Sequence, residues 1–207
     1  MEPTGQIIKA RLMKTNKSKK SNKSNITLVI GGCRSGKSSY ALGAVNDLAR
    51  DKKIYLATSV PTDPEMDDRV SRHQAERGPD WETIEEPILI HEAISRAGKN
   101  AEVILVDCLT LWTSNLLFKG EGETGILAAV DLLAAVLADC PCPVFLVSNE
   151  VGYGIVPENQ IARQFRDIAG LVNQRVAALA DQVVLTVAGI GLIIKPKGQE
   201  IPEIGEF

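Results

Sequence analysis

Five short aliphatic runs constrain this chain more than any other feature of its sequence: ITLVI (26–30), IYLAT (54–58), VILVD (103–107), VFLVS (144–148) and VVLTVA (183–188). None of them alternates apolar with polar residues, so each is buried on both faces, as strands of a parallel sheet under helices are. The intervening stretches 38–50, 87–97, 124–138 and 158–180 carry helical periods. In the last of these, Ile161, Phe165, Ile168, Val172, Val176 and Leu179 share one face, while Arg163, Asp167 and Gln174 lie elsewhere. Strand–helix alternation predicts an α/β fold with a mainly parallel central sheet and helices on both sides. Such sheets hold their ligands at the carboxyl ends of the strands. The length of 207 residues suits one domain, and neither an internal repeat nor a second core is present.

The ends read differently from the body. Residues 1–24 carry seven Lys/Arg against Glu2, so the net charge of −3 leaves −9 on the remainder. KTNKSKKSNKSN has no hydrophobic period and predicts a basic disordered arm over 1–24. Such an arm can touch nucleic acid or acidic lipid. No aromatic residue interleaves its lysines, and the reading retained is a solubilising leader with no nucleic-acid partner. The body then runs over 25–195, and 196–207 forms a loose tail. No apolar run approaches the roughly 20 residues that span a bilayer, and the N-terminus lacks a secretory apolar core. Four cysteines without CxxC spacing argue for reduced thiols and a cytoplasmic protein, with Cys140-Pro-Cys142 a turn rather than a metal site.

Chemistry begins where the first run ends, at GGCRSGKSS. Gly31, Gly36, Lys37 and Ser38 satisfy the phosphate-binding P-loop pattern, with a strand before it and a helix after it. Glycines let backbone N–H groups face a β-phosphate, and the helix adds its positive end. Lys37 can reach β- and γ-oxygens, and Ser38 can offer a hydroxyl to Mg²⁺. Asp107, the acid closing VILVD, is placed as a second Mg²⁺-directed group, although a helix N-cap also fits it. Residues 57–59 and 148–152 open onto the same edge, which makes Asn149 and Glu150 pocket or capping candidates. These features predict a nucleoside triphosphate with Mg²⁺, without choosing among kinase, ATPase and nucleotidyltransferase.

The stretch 63–78 is unusual. Asp63, Pro64 and the acids Glu65, Asp67 and Asp68 mark a helix start, and Gly78 marks its end. Only Met66, Val70 and Ala75 are there to bury, so a ligand or a neighbouring subunit has to hold this helix if solvent does not. His73 shares a face with Arg69 and Arg77, four residues to either side. The flanking guanidinium groups suit a histidine nucleophile attacking a phosphate. An ordinary surface histidine accounts for the same residues. His91 has no such setting and reads as structural.

Taken together, GGCRSGKS, YLATS, EMDDRVSRHQAER followed by Trp81 and Glu85, VDCLTLWTSNLL and the long segment from VSNEVGYGIVPEN to GLIIK resemble the bifunctional adenosylcobinamide kinase/adenosylcobinamide-phosphate guanylyltransferases of cobalamin biosynthesis. The resemblance spans about residues 26–195. It implies a three-layer P-loop NTPase fold of the RecA type, commonly a homotrimer. It implies phosphorylation of adenosylcobinamide by ATP or GTP, and then transfer of GMP from GTP through a GMP–histidine intermediate. On this resemblance the histidine is His73, catalytic together with Lys37. Nucleotide-binding positions carry over to Gly31, Gly32, Cys33, Arg34, Ser35, Gly36, Lys37, Ser38 and Ser39. They continue at Ala57, Thr58 and Ser59, at Gln74, Ala75, Glu76 and Arg77 after the histidine, and at Glu85 and Asp107. Ser38 and Asp107 are the implied Mg²⁺ ligands, and Glu85 the implied reader of guanine. The basic arm and the tail depart from the family pattern, and Cys33 stands where a small residue is common. A P-loop kinase or NTPase with His73 as a bystander is the competing reading.

Overall fold

A computed structural model describes residues 25–60 and 78–198. The elements in chain order are β1 (Ile26–Gly31), α1 (Lys37–Leu48), β2 (Lys53–Ala57), β3 (Trp81–Glu85), α2 (Ile90–Ala97) and β4 (Val103–Asp107). They continue as α3 (Leu109–Phe118), α4 (Glu123–Asp139), β5 (Val144–Asn149), α5 (Gln160–Leu179), β6 (Gln182–Val187) and β7 (Ile190–Lys195). The strands form one sheet in the order β3-β2-β4-β5-β1-β6-β7. Every neighbouring pair is parallel except β6–β7, an antiparallel hairpin.

The continuous apolar runs are explained by the two layers packed on this sheet. Successive side chains of a strand point to opposite faces. Leu28, Leu56, Ile104, Val106 and Leu146 join the helices α2 to α5, meeting Trp112, Ile126, Leu133, Val172 and Val176. Val29, Tyr55, Leu105, Phe145 and Val147 face Ala41, Leu42 and Val45 of α1. Among the described residues α1 is the helix packed on that second face. No described helix is long and apolar enough to cross a membrane.

Several expectations need correction. Neither edge strand was predicted. β3 is charged and only half-buried at Trp81 and Ile84, so it lacks the signature of a strand buried on both faces, while β7 is an aliphatic run that nevertheless exposes Ile190, Leu192, Ile193 and Ile194 at the sheet edge. Ile161 and Leu179, assigned to the buried face of α5, are 57% and 42% exposed. A helix of 20 residues runs about 30 Å against strands of about 20 Å, and its ends overhang the sheet. Helix α2 starts at Ile90 rather than 87, because the Glu86 carboxylate takes the amides of Ile88 and Leu89 at 3.0 and 2.8 Å. The Cys140-Pro-Cys142 turn does join α4 to β5, with both thiols buried and their sulfurs 3.7 Å apart. Contact with Cys142 draws the Cys140 thiol down to about 7, while the Cys142 thiol is raised. The helix expected over 63–78 lies outside the described residues up to position 77, as do the arm 1–24 and the tail from 199.

Candidate active site

The loop between β1 and α1 is built around glycines that its neighbours require. Gly31 ends β1 between Asn149 of β5 and Thr186 of β6. A Cβ on Gly31 would collide with the hydroxyls of Thr186 and Ser35 and come within 2.6 Å of the Thr186 carbonyl. Gly36, the N-cap of α1, has φ 92°, a left-handed conformation that L side chains rarely adopt. Arg34 also has a positive φ, 55°. Successive left-handed turns of this kind aim backbone N–H groups into a concavity. No side chain caps the first turn of α1 and no acid sits in it, so its amides stay open to an anion.

The hairpin at the end of the chain braces the loop. The buried Ser35 and Thr186 hydroxyls are hydrogen-bonded at 2.8 Å, and Thr186 donates to the Ile30 carbonyl at 3.2 Å. The Gly189 amide donates to the Ser35 carbonyl at 2.9 Å. Lys37 is buried and folds back on the loop, its Nζ donating to the Gly32 carbonyl at 3.2 Å. Gly32, Cys33, Arg34 and Ser39 are exposed, and Ser38 is half-buried. Replacing Thr186 with valine keeps its shape and leaves the Ser35 hydroxyl buried without this partner, which is expected to cost about 1–3 kcal/mol. Urea unfolding should show a lower midpoint at unchanged slope; an unchanged midpoint would remove the brace from the account.

Asp107 ends β4 on the same edge, separated from Gly31 by β5. Tyr55 donates its hydroxyl to Asp107 Oδ2 at 2.9 Å and so orients the carboxylate. The cap of α3 is Cys108, whose Sγ accepts from the Leu111 amide, so the N-cap alternative for Asp107 does not hold. Burial, with Asp107 alongside, pushes the Cys108 thiol up to about 11, and the Lys37 ammonium opposes this only weakly. Cys108 therefore stays a neutral thiol rather than a nucleophile.

Thr58 is fully buried. Its hydroxyl donates to the Cys108 carbonyl at 2.7 Å and accepts from the Cys108 amide at 2.8 Å, while Asn115 donates to its carbonyl at 2.8 Å. The Thr58 side chain thus ties β2 to the start of α3. Ala57 is buried and Ser59 half-buried beside it. Glu85 is exposed at the end of β3, in register with Ala57, which is in register with Asp107. Four inter-strand steps separate Glu85 from Gly31, about 19 Å at the usual spacing.

On the other side of the loop, the Glu150 amide donates to the Gly31 carbonyl at 2.9 Å, and the Glu150 carboxylate accepts from Gly152 at 2.8 Å. The Asn149 amide donates to Thr110 at 2.6 Å, and the Asn149 carbonyl accepts from Asn173 at 3.0 Å. One sheet edge therefore gathers Gly31–Ser39, Ala57–Ser59, Glu85, Asp107, Asn149 and Glu150. His73 and Gln74–Arg77 lie outside the described residues.

The arrangement is a glycine-rich loop with open amides at a helix N-terminus and an acid across one strand. A model of the cobinamide kinase/cobinamide phosphate guanyltransferase family matches residues 27–194. This chain belongs to that family. It is 43% identical over 180 residues to the bifunctional adenosylcobalamin biosynthesis protein CobU of Escherichia coli, covering 81% of this chain and 98% of that protein. The CobU protein of Salmonella typhimurium gives the same identity and coverage. The CobP protein of Pseudomonas aeruginosa is 37% identical over 170 residues, 81% of this chain and 96% of its own. Among solved structures, a KaiC-like protein from Pyrococcus horikoshii aligns with TM-score 0.52 at 15% identity, over 85% of this chain and 81% of that one. That likeness concerns the fold and agrees with a P-loop α/β architecture.

Family membership does not by itself bring out Thr186, Gly189, Tyr55, Thr110 or Asn173. Each is a polar residue or glycine inside or beside an apolar run, and that placement is the signal sequence reading could have used. Their partners lie up to 156 residues away, where no local period reaches.

Proposed function

We propose that this protein phosphorylates adenosylcobinamide with ATP or GTP and then converts the phosphate to adenosyl-GDP-cobinamide, working in the cytoplasm as a homotrimer. Membership of the cobinamide kinase/guanyltransferase family over residues 27–194 carries this reading, and the loop geometry supports it.

In the first step the substrate's aminopropanol oxygen attacks the γ-phosphorus and loses its proton, and the nucleoside diphosphate leaves. Lys37 and the open amides of the loop and first turn of α1 meet the negative charge that develops on the transferring group. Mg²⁺, when bound with the triphosphate, neutralises its β- and γ-oxygens. Ser38 at the head of α1 and Asp107, held by Tyr55, are the residues that would hold it. Mg²⁺ binds through one or two protein ligands plus water and substrate phosphates, which a hydroxyl and a carboxylate of this kind can supply.

In the second step neutral His73 attacks the α-phosphorus of GTP and pyrophosphate leaves. The cobinamide phosphate oxygen then attacks the same phosphorus, breaking the N–P bond and freeing the histidine. Glu85 is assigned to guanine, which puts the base at the far end of the sheet edge from the loop. The trimer assignment is supported by the apolar side chains that β7 exposes, with Ile190 at 64%, and sedimentation tests it.

Incubation of the protein with GTP, Mg²⁺ and adenosylcobinamide should yield the phosphate ester first and then the GDP ester with one pyrophosphate. Phosphate ester alone, without pyrophosphate, would reduce the protein to a kinase.

A further inference from the structure

The segment from Glu150 to Asn159 has no role in the chemistry above, although it springs from the loop itself. Its first amide is bonded to Gly31, and beyond it Tyr153, Ile155 and Val156 are 87%, 97% and 57% exposed. Between this segment and α5 lies a cavity of about 600 Å³, within the range of small-molecule sites. Gly152, Gly154 and Val156 line one wall, and Arg166, Gly170 and Gln174 of α5 line the other.

Gly170 is informative. A glycine inside a helix costs stability relative to alanine and needs a reason. A Cβ there would meet no atom within 4 Å, and the same is true of Gly154. Packing among the described residues therefore does not require either glycine, and both leave room for something outside those residues to come close. Asn149 and Asn173, joined by a hydrogen bond where β5 meets α5, lie outside the lining of this cavity.

We infer that this cavity and the exposed loop beside it bind the corrinoid ring of the acceptor, with Gly170 and Gln174 as specificity-determining positions. The inference rests on the proposed function and says where its larger substrate lies. The reacting hydroxyl has to come within about 3.5 Å of the γ-phosphorus, so the ring it is tethered to rests on a surface flanking the loop. The surface at hand is apolar at Tyr153, Ile155 and Val156 and carries an amide at Gln174. Its arginine, Arg166, is accompanied by Asp167 at 3.6 Å. This balanced charge suits an apolar macrocycle fringed with amides better than it suits a second nucleotide. The cavity admits an edge of so large a ring, and the exposed loop side chains meet its face.

Gly170→Leu fills the cavity from a position with free space, and leucine is a better helix former than glycine; Gln174→Ala removes the amide from an exposed position. Steady-state kinetics of the full chain should show KM for adenosylcobinamide raised about tenfold by either variant, a loss of about 1.4 kcal/mol. The KM for GTP, and labelling of the protein by GTP without corrinoid, should stay at wild-type values. An unchanged corrinoid KM in both variants overturns the inference. Dissociation of the oligomer by Gly170→Leu in sedimentation also overturns it, because the cavity would then be an interface between copies. A wild-type protein that is labelled by GTP yet never turns over adenosylcobinamide refutes the functional reading first, and the inference falls with it.

Discussion

Replacing Lys37 with alanine is expected to slow phosphoryl transfer to adenosylcobinamide about a hundred- to a thousandfold, the usual cost of losing one donor aimed at developing charge. The expectation follows from where the side chain sits. Lys37 is 7% exposed and its ammonium already lies against the Gly32 carbonyl, so it is positioned before any phosphate arrives. Substitution by arginine is not expected to rescue the rate. The planar guanidinium is wider than an ammonium and has no room in a buried site shaped by Gly31, Gly36 and the Thr186 brace. Single-turnover transfer from a γ-labelled triphosphate measures both variants. An arginine variant at wild-type rate would show that charge alone, not position, is what the loop supplies.

Replacing His73 with alanine is expected to separate the two reactions. The phosphate ester should accumulate at the wild-type rate, while GDP-cobinamide formation falls by roughly 10⁴ or more, as happens when an enzyme loses its nucleophile. The separation is the informative part. His73 serves only the second transfer, whereas Lys37 is needed for the first, so the two variants should stop the sequence at different products. Loss of both products in His73→Ala would assign the residue to folding or to the first transfer. Retention of both would make it a bystander, as a histidine on a polar surface often is.

What the sequence disclosed follows from where local patterns carry information. The strands β1, β2, β4, β5 and β6 were legible because burial on both faces leaves their runs mainly aliphatic, without alternation of apolar and polar residues. β3 was missed because Glu82, Thr83 and Glu85 face solvent along an edge strand. β7 was missed because its isoleucines lie exposed at the other edge, where nothing distinguishes them from a short core segment. The loop 31–38 was legible as a motif, but the reason for its first glycine was not. That reason is Thr186, far away in the chain and adjacent only once β1 and β6 pair. Asp107 was found by its position at a strand end, while Tyr55, which orients it, is hidden inside an apolar run that reads as core. Thr58 was carried over as a nucleotide position, yet its hydroxyl is spent on the Cys108 backbone, a use no motif encodes. The overhang of α5 has the same origin. Helical periodicity gives the direction of Ile161 and Leu179 but not whether the sheet extends beneath them.

The central claim is that one chain carries a nucleotide through two successive transfers, the second by way of His73. Incubating the wild-type protein with α-labelled GTP and Mg²⁺, without corrinoid, and mapping the modified peptide tests it most directly. The account predicts one GMP per active site on the peptide containing His73, stable to base, lost in acid and discharged by adenosylcobinamide phosphate. An unlabelled protein that still forms GDP-cobinamide, or a label on any other residue, would contradict it.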